Sequence, residues 1–173
     1  MNKELQNQID EAIAKLIEIL SSVNEEKLNI VPFEGSWTAG QLAQHMILSN
    51  SGFADLINGP VKDTDRAPDE HIDDLRSFLD FSIKFKSPEF VRPPEKDYDK
   101  KELLHSLKEI KTRLHQILET ADLTKTCVAF EIPVTGYLTV LEAAHFVLFH
   151  TQRHIHQLKN ITNKLVTHEV SPA

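Results

Sequence analysis

The chain has 173 residues, 40% hydrophobic and 26% charged, as in an ordinary globular protein, and we expect one domain over residues 1–173. Its formal charge of -7 argues against nucleic-acid binding, which needs a basic surface. A single cysteine, a polar N-terminus and the lack of a long apolar run predict no internal disulfide, no signal peptide, no membrane association and a cytoplasmic location.

The first predicted element is a helix over residues 3–23. Its apolar residues recur at three- and four-residue steps, with polar residues between them, which predicts one buried stripe: Leu5, Ile9, Ala12, Ile13, Leu16, Leu20 and Val23. Residues 24–36 are predicted to form a connection, because they contain the helix breakers Pro32 and Gly35.

A second helix is predicted from Trp37 to Ile57, with a capping box formed by Thr38 and Gln41 at its start. His45 lies on the mostly apolar face of this helix, and small residues one and two turns further on leave room beside its imidazole. A histidine in this setting is more often a core residue with satisfied hydrogen bonds than a functional one. The pattern around His45 alone therefore does not show whether this histidine is functional or structural.

Residues 60–98 are the least regular part of the sequence. One helix is predicted over residues 69–86, with four residues facing inward: Ile72, Leu75, Leu79 and Ile83. The proline-rich stretch that follows predicts an extended crossover, which would allow the helices on either side of it to run in the same direction.

A third core helix is predicted over residues 99–121 from the apolar stripe Leu103, Leu107, Ile110, Leu114, Ile117 and Leu118. In the connection after it, alternation of Val128, Phe130, Ile132 and Val134 predicts a short extended piece that ends at Gly136. We expect Cys127 to be a small buried apolar residue rather than a catalytic thiol, because no histidine is near it in sequence.

The last predicted helix runs from Thr139 to Ile161, with a capping box formed by Thr139 and Glu142. His150 and His154 are four residues apart, so their rings lie one turn from each other on the same face. Such a pair can hold one divalent metal ion. Short motifs also occur by chance, and the alternative is two histidines that make ordinary hydrogen bonds in the core.

Four long amphipathic helices and one long crossover predict an all-α four-helix bundle, in which a metal site would need a third ligand from another helix. Among the remaining histidines, only His45 lies on a core-facing stripe, whereas His145 and His156 lie on the far side of the last helix. That far side is apolar as well, which predicts either a homodimer interface or a face covered by residues 60–98.

Two stretches resemble the DinB superfamily of DinB/YfiT-like proteins: WTAGQLAQHM at residues 37–46 and HTQRHIHQL at residues 150–158. The resemblance implies an up-down-down-up four-helix bundle with a long crossover between helices 2 and 3. It also implies a divalent metal ion held by His45, His150 and His154. Members are often homodimers, and activities in the family include transfer of low-molecular-weight thiols to electrophiles and metal-dependent hydrolysis or isomerisation.

Three neutral imidazoles would leave the full charge on the metal and at least one open position, as in a catalytic site. The ion would then make a nucleophile of bound water or thiol, and zinc or nickel fit best, with iron or manganese also compatible. We therefore predict a metal-dependent transferase or hydrolase acting on a small molecule. The alternatives are a non-catalytic metal- or ligand-binding module in a stress response and a metal-free interaction protein.

Two neighbours of the histidine pair have open roles. Gln157 lies on the same stripe and either fixes the orientation of an imidazole or makes a hydrogen bond elsewhere in the bundle. Arg153 lies to one side, where it either meets an anionic substrate group or forms a surface ion pair, and the ion pair is the favoured prediction.

Overall fold

Four long helices and one helical turn make up most of the structure, a computed structural model that describes residues 2–132 and 135–167. In chain order the elements are α1 (Asn2–Ser22), α2 (Ala39–Ile57), β1 (Val61–Lys62), α3 (Ile72–Leu75), α4 (Lys100–Thr120), β2 (Thr126–Cys127) and α5 (Val140–Thr167). The two short strands pair antiparallel. The predicted all-α four-helix bundle is confirmed, and its long helices begin and end close to the predicted positions, except that α5 continues six residues beyond the predicted end at Ile161.

The helices run up-down-down-up, as two apolar clusters at opposite ends of the bundle show. One cluster joins the N-terminal halves of α1 and α5 to the C-terminal halves of α2 and α4. The other cluster joins the four opposite halves. Consequently α2 and α4, which flank the crossover, run in the same direction, as the length of the crossover predicts.

Both predicted capping boxes are present. At the start of α2, the Thr38 hydroxyl accepts from the Gln41 N–H at 3.0 Å, and the Gln41 side chain accepts from the Thr38 N–H at 3.0 Å. At the start of α5, the Thr139 N–H donates to the Glu142 carboxylate at 2.8 Å, and the Glu142 N–H donates to the Thr139 hydroxyl at 3.1 Å. These bonds fix where the two histidine-bearing helices begin.

The predicted helix over residues 69–86 is too long. Helix α3 continues into a single 3₁₀ turn, Arg76–Leu79, and the helical conformation ends at Asp80. The Asp80 carboxylate accepts hydrogen bonds from both the N–H and the O–H of Ser82. Such a local turn competes with helix formation, and Ile83, predicted to face inward, is 41% exposed as a result.

The second apolar face of α5 is covered within the chain. Leu141 and Leu148 are buried, and α3 with the following 3₁₀ turn packs against this helix. This is the second of the two predicted arrangements, so the apolar face no longer argues for a dimer interface. The homodimer itself stays a prediction.

The connection between α4 and α5 is extended only in part. Cys127 lies in β2, and an isolated bridge joins Ile132 to Gly136. Val134, which belongs to the predicted alternating piece, lies outside the described residues. Cys127 is fully buried, as predicted, and burial raises the pKa of its thiol to about 11. Within the described ranges, no helix has the length and apolar character needed to cross a bilayer.

Candidate metal centre

Three histidine side chains from two helices meet at one point inside the bundle. His45 comes from α2, and His150 and His154 come from successive turns of α5, which places all three on facing stripes. The Nε2 atom of His150 lies 3.3 Å from Nε2 of His45 and 3.0 Å from Nε2 of His154. All three residues are buried, so the side chains that the sequence singled out come together in the structure.

The outer nitrogen of each ring has its own partner. Nδ1 of His45 donates to the backbone carbonyl of Val91 at 2.7 Å. Nδ1 of His154 donates to the side-chain oxygen of Gln157 at 2.8 Å, which decides between the two roles predicted for this glutamine. Because a carbonyl oxygen can only accept, the proton of each of these two imidazoles is on Nδ1, and Nε2 presents a lone pair.

The third ring is held more loosely. Nδ1 of His150 lies 3.4 Å from the hydroxyl of Ser49, one turn after His45 on α2. If Nε2 of His150 carries the proton, it can donate to Nε2 of His45 or to Nε2 of His154, but not fully to both. The protein groups at the centre therefore leave at least one imidazole lone pair without a proton donor.

This arrangement fits a divalent metal ion. With Zn–N bonds of about 2.0–2.1 Å and tetrahedral angles, two ligand nitrogens are about 3.3 Å apart. The two Nε2–Nε2 distances here are 3.3 and 3.0 Å. Among the described residues, no fourth histidine, cysteine or carboxylate joins the group. Three protein ligands with no fourth are typical of catalytic rather than structural sites.

Burial keeps the three imidazoles neutral. It is the main cause that lowers the pKa of His154 to about 3 and the pKa of His150 well below its usual value. Burial also lowers the pKa of His45, although its hydrogen bond to Val91 acts in the opposite direction. Neutral imidazole is the form that binds a metal, so the three side chains are in the metal-binding form at pH 7.

The pKa shifts predict a pH dependence for the metal-free protein. Below pH 6.5 these histidines bind protons in the unfolded chain but stay unprotonated in the folded chain. The free energy of unfolding therefore falls as the pH falls. The slope approaches about 1.4 kcal/mol per pH unit well below pH 6.5 for each histidine that stays neutral in the folded protein, and it is about half of that at pH 6.5. Urea unfolding of chelated protein at pH 7.5, 6.5 and 5.5 measures it, and in this window carboxyl groups contribute little.

A matched variant isolates the effect. His150→Leu with His154→Leu removes two of the three groups and should flatten the dependence between pH 7.5 and 5.5. Equal stability of the wild-type protein across that range would show that the imidazoles titrate normally and are not buried as described.

The centre lies at the floor of a cavity of 1510 Å³. All three histidines line it, together with Trp37, whose ring lies 5.0 Å from that of His45. A small molecule in this cavity can therefore reach the point that the three Nε2 atoms face. This accessibility distinguishes the centre from a site closed on all sides by protein.

Arg153 does not form the surface ion pair that was the favoured of its two predicted roles. Its guanidinium donates to the backbone carbonyls of Phe78 and Asp80 at 3.1 and 3.0 Å, and also to that of Ile83. It lies over the ring of Phe85 at 4.8 Å. The favoured surface ion pair is therefore wrong for the part of the chain that the structure describes, and Arg153 instead holds the crossover against α5.

The two histidines predicted to lie on the far side of α5 have partners other than the three clustered histidines. His145 donates from Nδ1 to the carbonyl of Leu141 at 2.9 Å, and His156 stacks on Phe81 with ring centroids 4.1 Å apart. Neither belongs to the cluster of potential ligands. His156 does line the cavity, together with the Phe81 ring on which it stacks.

Sequence reasoning did not identify two partners of the centre. The backbone carbonyl of Val91 could not be recognised from the sequence, since every residue has a backbone carbonyl. Ser49 was visible only as a small neighbour of His45. A further signal was available, because phenylalanines recur at positions 78, 81, 85 and 90 in a segment otherwise rich in charged residues. A solvated loop does not need so many aromatic rings.

Comparisons with known proteins concern the family and the fold of the chain. The model of the DinB superfamily matches residues 8–158. The fold is similar to that of YfiT from Bacillus subtilis, described as a probable metal-dependent hydrolase with an unusual four-helix bundle topology, with a TM-score of 0.62 and 17% identity over 95% of this chain and 87% of that one. It is also similar to TT2238, a four-helix bundle protein, with a TM-score of 0.58 and 18% identity over 92% and 99% of the two chains. No curated protein matches the sequence significantly.

Proposed function

The chain belongs to the DinB superfamily, and from this premise we propose that it is a metal-dependent enzyme. In this proposal His45, His150 and His154 hold one divalent metal ion, and the reaction is attack by water or a thiol on a small electrophile. Attack by water would make the protein a hydrolase, and attack by a thiol would make it a transferase of low-molecular-weight thiols. A cytoplasmic location and a homodimer are part of the proposal.

One observation carries the proposal. Three Nε2 atoms face a common point at the floor of an open cavity, and at least two of them present lone pairs. A buried arrangement of this kind is unfavourable unless a cation or a hydrogen-bond donor lies between the nitrogens, and a divalent cation satisfies all three lone pairs at once. The non-catalytic module is less well supported, because it needs further protein groups that block the remaining metal positions, and none is present among the described potential ligands.

The chain's own residues supply orientation and environment. When bound, a divalent ion supplies Lewis-acid chemistry, lowering the pKa of a coordinated water or thiol to give a nucleophile at neutral pH. Val91 and Gln157 hold the rings of His45 and His154 in the tautomer that binds metal. The aromatic walls make the lining of the cavity largely apolar, which would strengthen electrostatic interactions of a reactant bound among them.

The test uses untagged protein, stripped with chelator and reloaded separately with zinc, nickel, manganese or iron. Hydrolysis of p-nitrophenyl acetate reports attack by water, and transfer of glutathione or cysteine to 1-chloro-2,4-dinitrobenzene reports attack by a thiol. We expect at least one metal to restore turnover in the wild type and in His105→Ala, an exposed control, but not in His154→Ala.

A protein that binds metal at the three histidines and yet turns over neither class of substrate would favour the non-catalytic module. A protein that shows the same turnover with and without metal would contradict the proposed role of the centre.

A further inference from the structure

The cavity above the three histidines is lined by most of the aromatic residues of the protein. Eight of the nine phenylalanines contribute to its walls, and so does the only tryptophan, Trp37. Five of these phenylalanines are between 44% and 68% exposed: Phe33, Phe81, Phe85, Phe90 and Phe130. An exposed apolar group of this size, gathered in one concave place, is typical of a ligand-binding surface rather than of a core.

The rings are arranged as walls. Phe78 stacks on Phe85 with centroids 4.7 Å apart on the crossover side, and Phe90 meets Phe130 edge to face at 5.8 Å. Phe146 stacks beside His150 at 5.1 Å, which brings the aromatic surface down to the metal centre. Aromatic walls at these spacings favour a flat or elongated apolar ligand, because such a ligand can make stacked and edge contacts on both sides.

The rim of the same cavity is basic, although the whole chain carries a charge of -7. Lys84, Lys86 and Arg92 line it and are exposed, and none of them forms an ion pair with another described residue. Of the two carboxylates on the lining, Asp55 is already paired with Arg113 at 2.5 Å. The rim therefore has an excess of positive charge that an anionic ligand would complement.

We propose that the ligand of this cavity is an aromatic or elongated apolar molecule with an anionic group, whose apolar body lies among the phenylalanines and whose anionic end meets Lys84 and Lys86. That this ligand is also the substrate rests on the proposed function. The reacting end would then lie toward the three Nε2 atoms. A cavity of 1510 Å³ exceeds the usual range of about 300–1,000 Å³, which leaves room for a second reactant.

The test compares two probes that differ only in charge, 4-phenylbutanoate and its neutral amide. Both are titrated by calorimetry into the full-length protein, once loaded with zinc and once after chelation. Trp37 gives a second readout, because the only tryptophan lies in the cavity and its fluorescence responds to a ligand there. The chelated arm excludes direct binding of the carboxylate to metal as the source of any difference.

We expect the anion to bind about fivefold more tightly than the amide, as two exposed ion pairs would give. Lys84→Gln with Lys86→Gln should abolish this difference and leave the amide unchanged. The control with the same charge change, Lys101→Gln with Lys108→Gln, lies on exposed positions of α4 and should change neither affinity.

A second pair of variants tests the aromatic walls. Phe90→Ala with Phe130→Ala removes two exposed rings and should weaken both probes about tenfold, as loss of aromatic contacts predicts. Tyr137→Ala, an exposed aromatic position outside the cavity, should have no effect. Because these positions are exposed, folding should survive, and circular dichroism checks that it does.

Equal affinity for anion and amide, or no effect of the phenylalanine variants, would overturn the inference. So would a wild-type dimer that Phe90→Ala with Phe130→Ala converts to a monomer, because the rings would then be an interface between two copies. Zinc binding is measured in the same samples. Zinc binding does not depend on the lysine and phenylalanine side chains that these variants replace. Failure of this inference can therefore be distinguished from failure of the proposed metal centre.

Discussion

Replacing His154 with alanine is expected to abolish stoichiometric metal binding. Loss of one of three ligands leaves two imidazoles. Loss of a group that only hydrogen-bonds to a ligand lowers metal affinity about 10–100-fold, and we expect a larger fall here. Calorimetric titration of zinc and nickel into chelated protein measures the change. His105→Ala is the matched control, since this histidine is exposed on α4 and far from the centre in sequence.

A graded variant adds a sharper criterion. Gln157→Leu keeps all three ligands and removes the acceptor on Nδ1 of His154, so the affinity should fall by only about 10–100-fold. The ranking wild type, Gln157→Leu, His154→Ala follows from the geometry. Similar affinity for all three proteins would place the bound metal somewhere other than at these histidines.

Replacing Arg66 with alanine is expected to destabilise the protein by about 3–5 kcal/mol, which is the usual cost of leaving a buried charge without its partner. Glu142 has no exposed side-chain surface, and both of its carboxylate oxygens accept from Arg66 at 2.6 Å. Burial would raise the pKa of Glu142. Hydrogen bonds from Arg66 and from the N–H groups of Thr139 and His71 outweigh it, and the pKa is lowered overall.

The sign of the pH dependence follows from that direction. A carboxyl group whose pKa is lowered on folding stabilises the protein above its unfolded pKa and loses this contribution as the pH falls. Urea unfolding at pH 7 therefore shows the full effect of Arg66→Ala. Glu142→Gln in the same chain should recover part of the loss, because it removes the unpaired charge.

Arg113→Ala is the control for loss of an ion pair at the surface. The side chains of Arg113 and Asp55 are 41% and 67% exposed, so the expected change is below about 1 kcal/mol. Equal effects of the two arginine variants would mean that the pair of Arg66 and Glu142 is solvated. In that case the pair would not fix the segment around Arg66 against the start of α5.

Much of the bundle follows from local sequence patterns. Apolar residues at helical spacing place the four long helices, because each must bury one face against the others. The Thr38 and Thr139 capping boxes mark two helix starts through bonds that involve only neighbours in sequence. His45, His150 and His154 could be identified for the same reason, since each lies on a stripe that must face the core.

The crossover was less predictable because contacts distant in sequence determine its path. The helix predicted to reach residue 86 stops at Asp80, where a local turn replaces the next helical bonds. Arg153, Phe85 and Val91 then hold the following residues over the centre. None of these contacts has a fixed spacing in the sequence, and two of them use backbone carbonyls that every residue possesses.

The most direct test of the account is the metal content of the protein purified without a histidine tag or chelator, with X-ray absorption at the edge of the metal found. Three buried imidazoles with facing Nε2 atoms predict about one transition metal per chain, with three nitrogen ligands from histidine. Absence of metal, together with failure to bind added zinc, nickel or manganese at pH 7, would contradict the metal centre and favour a metal-free interaction protein.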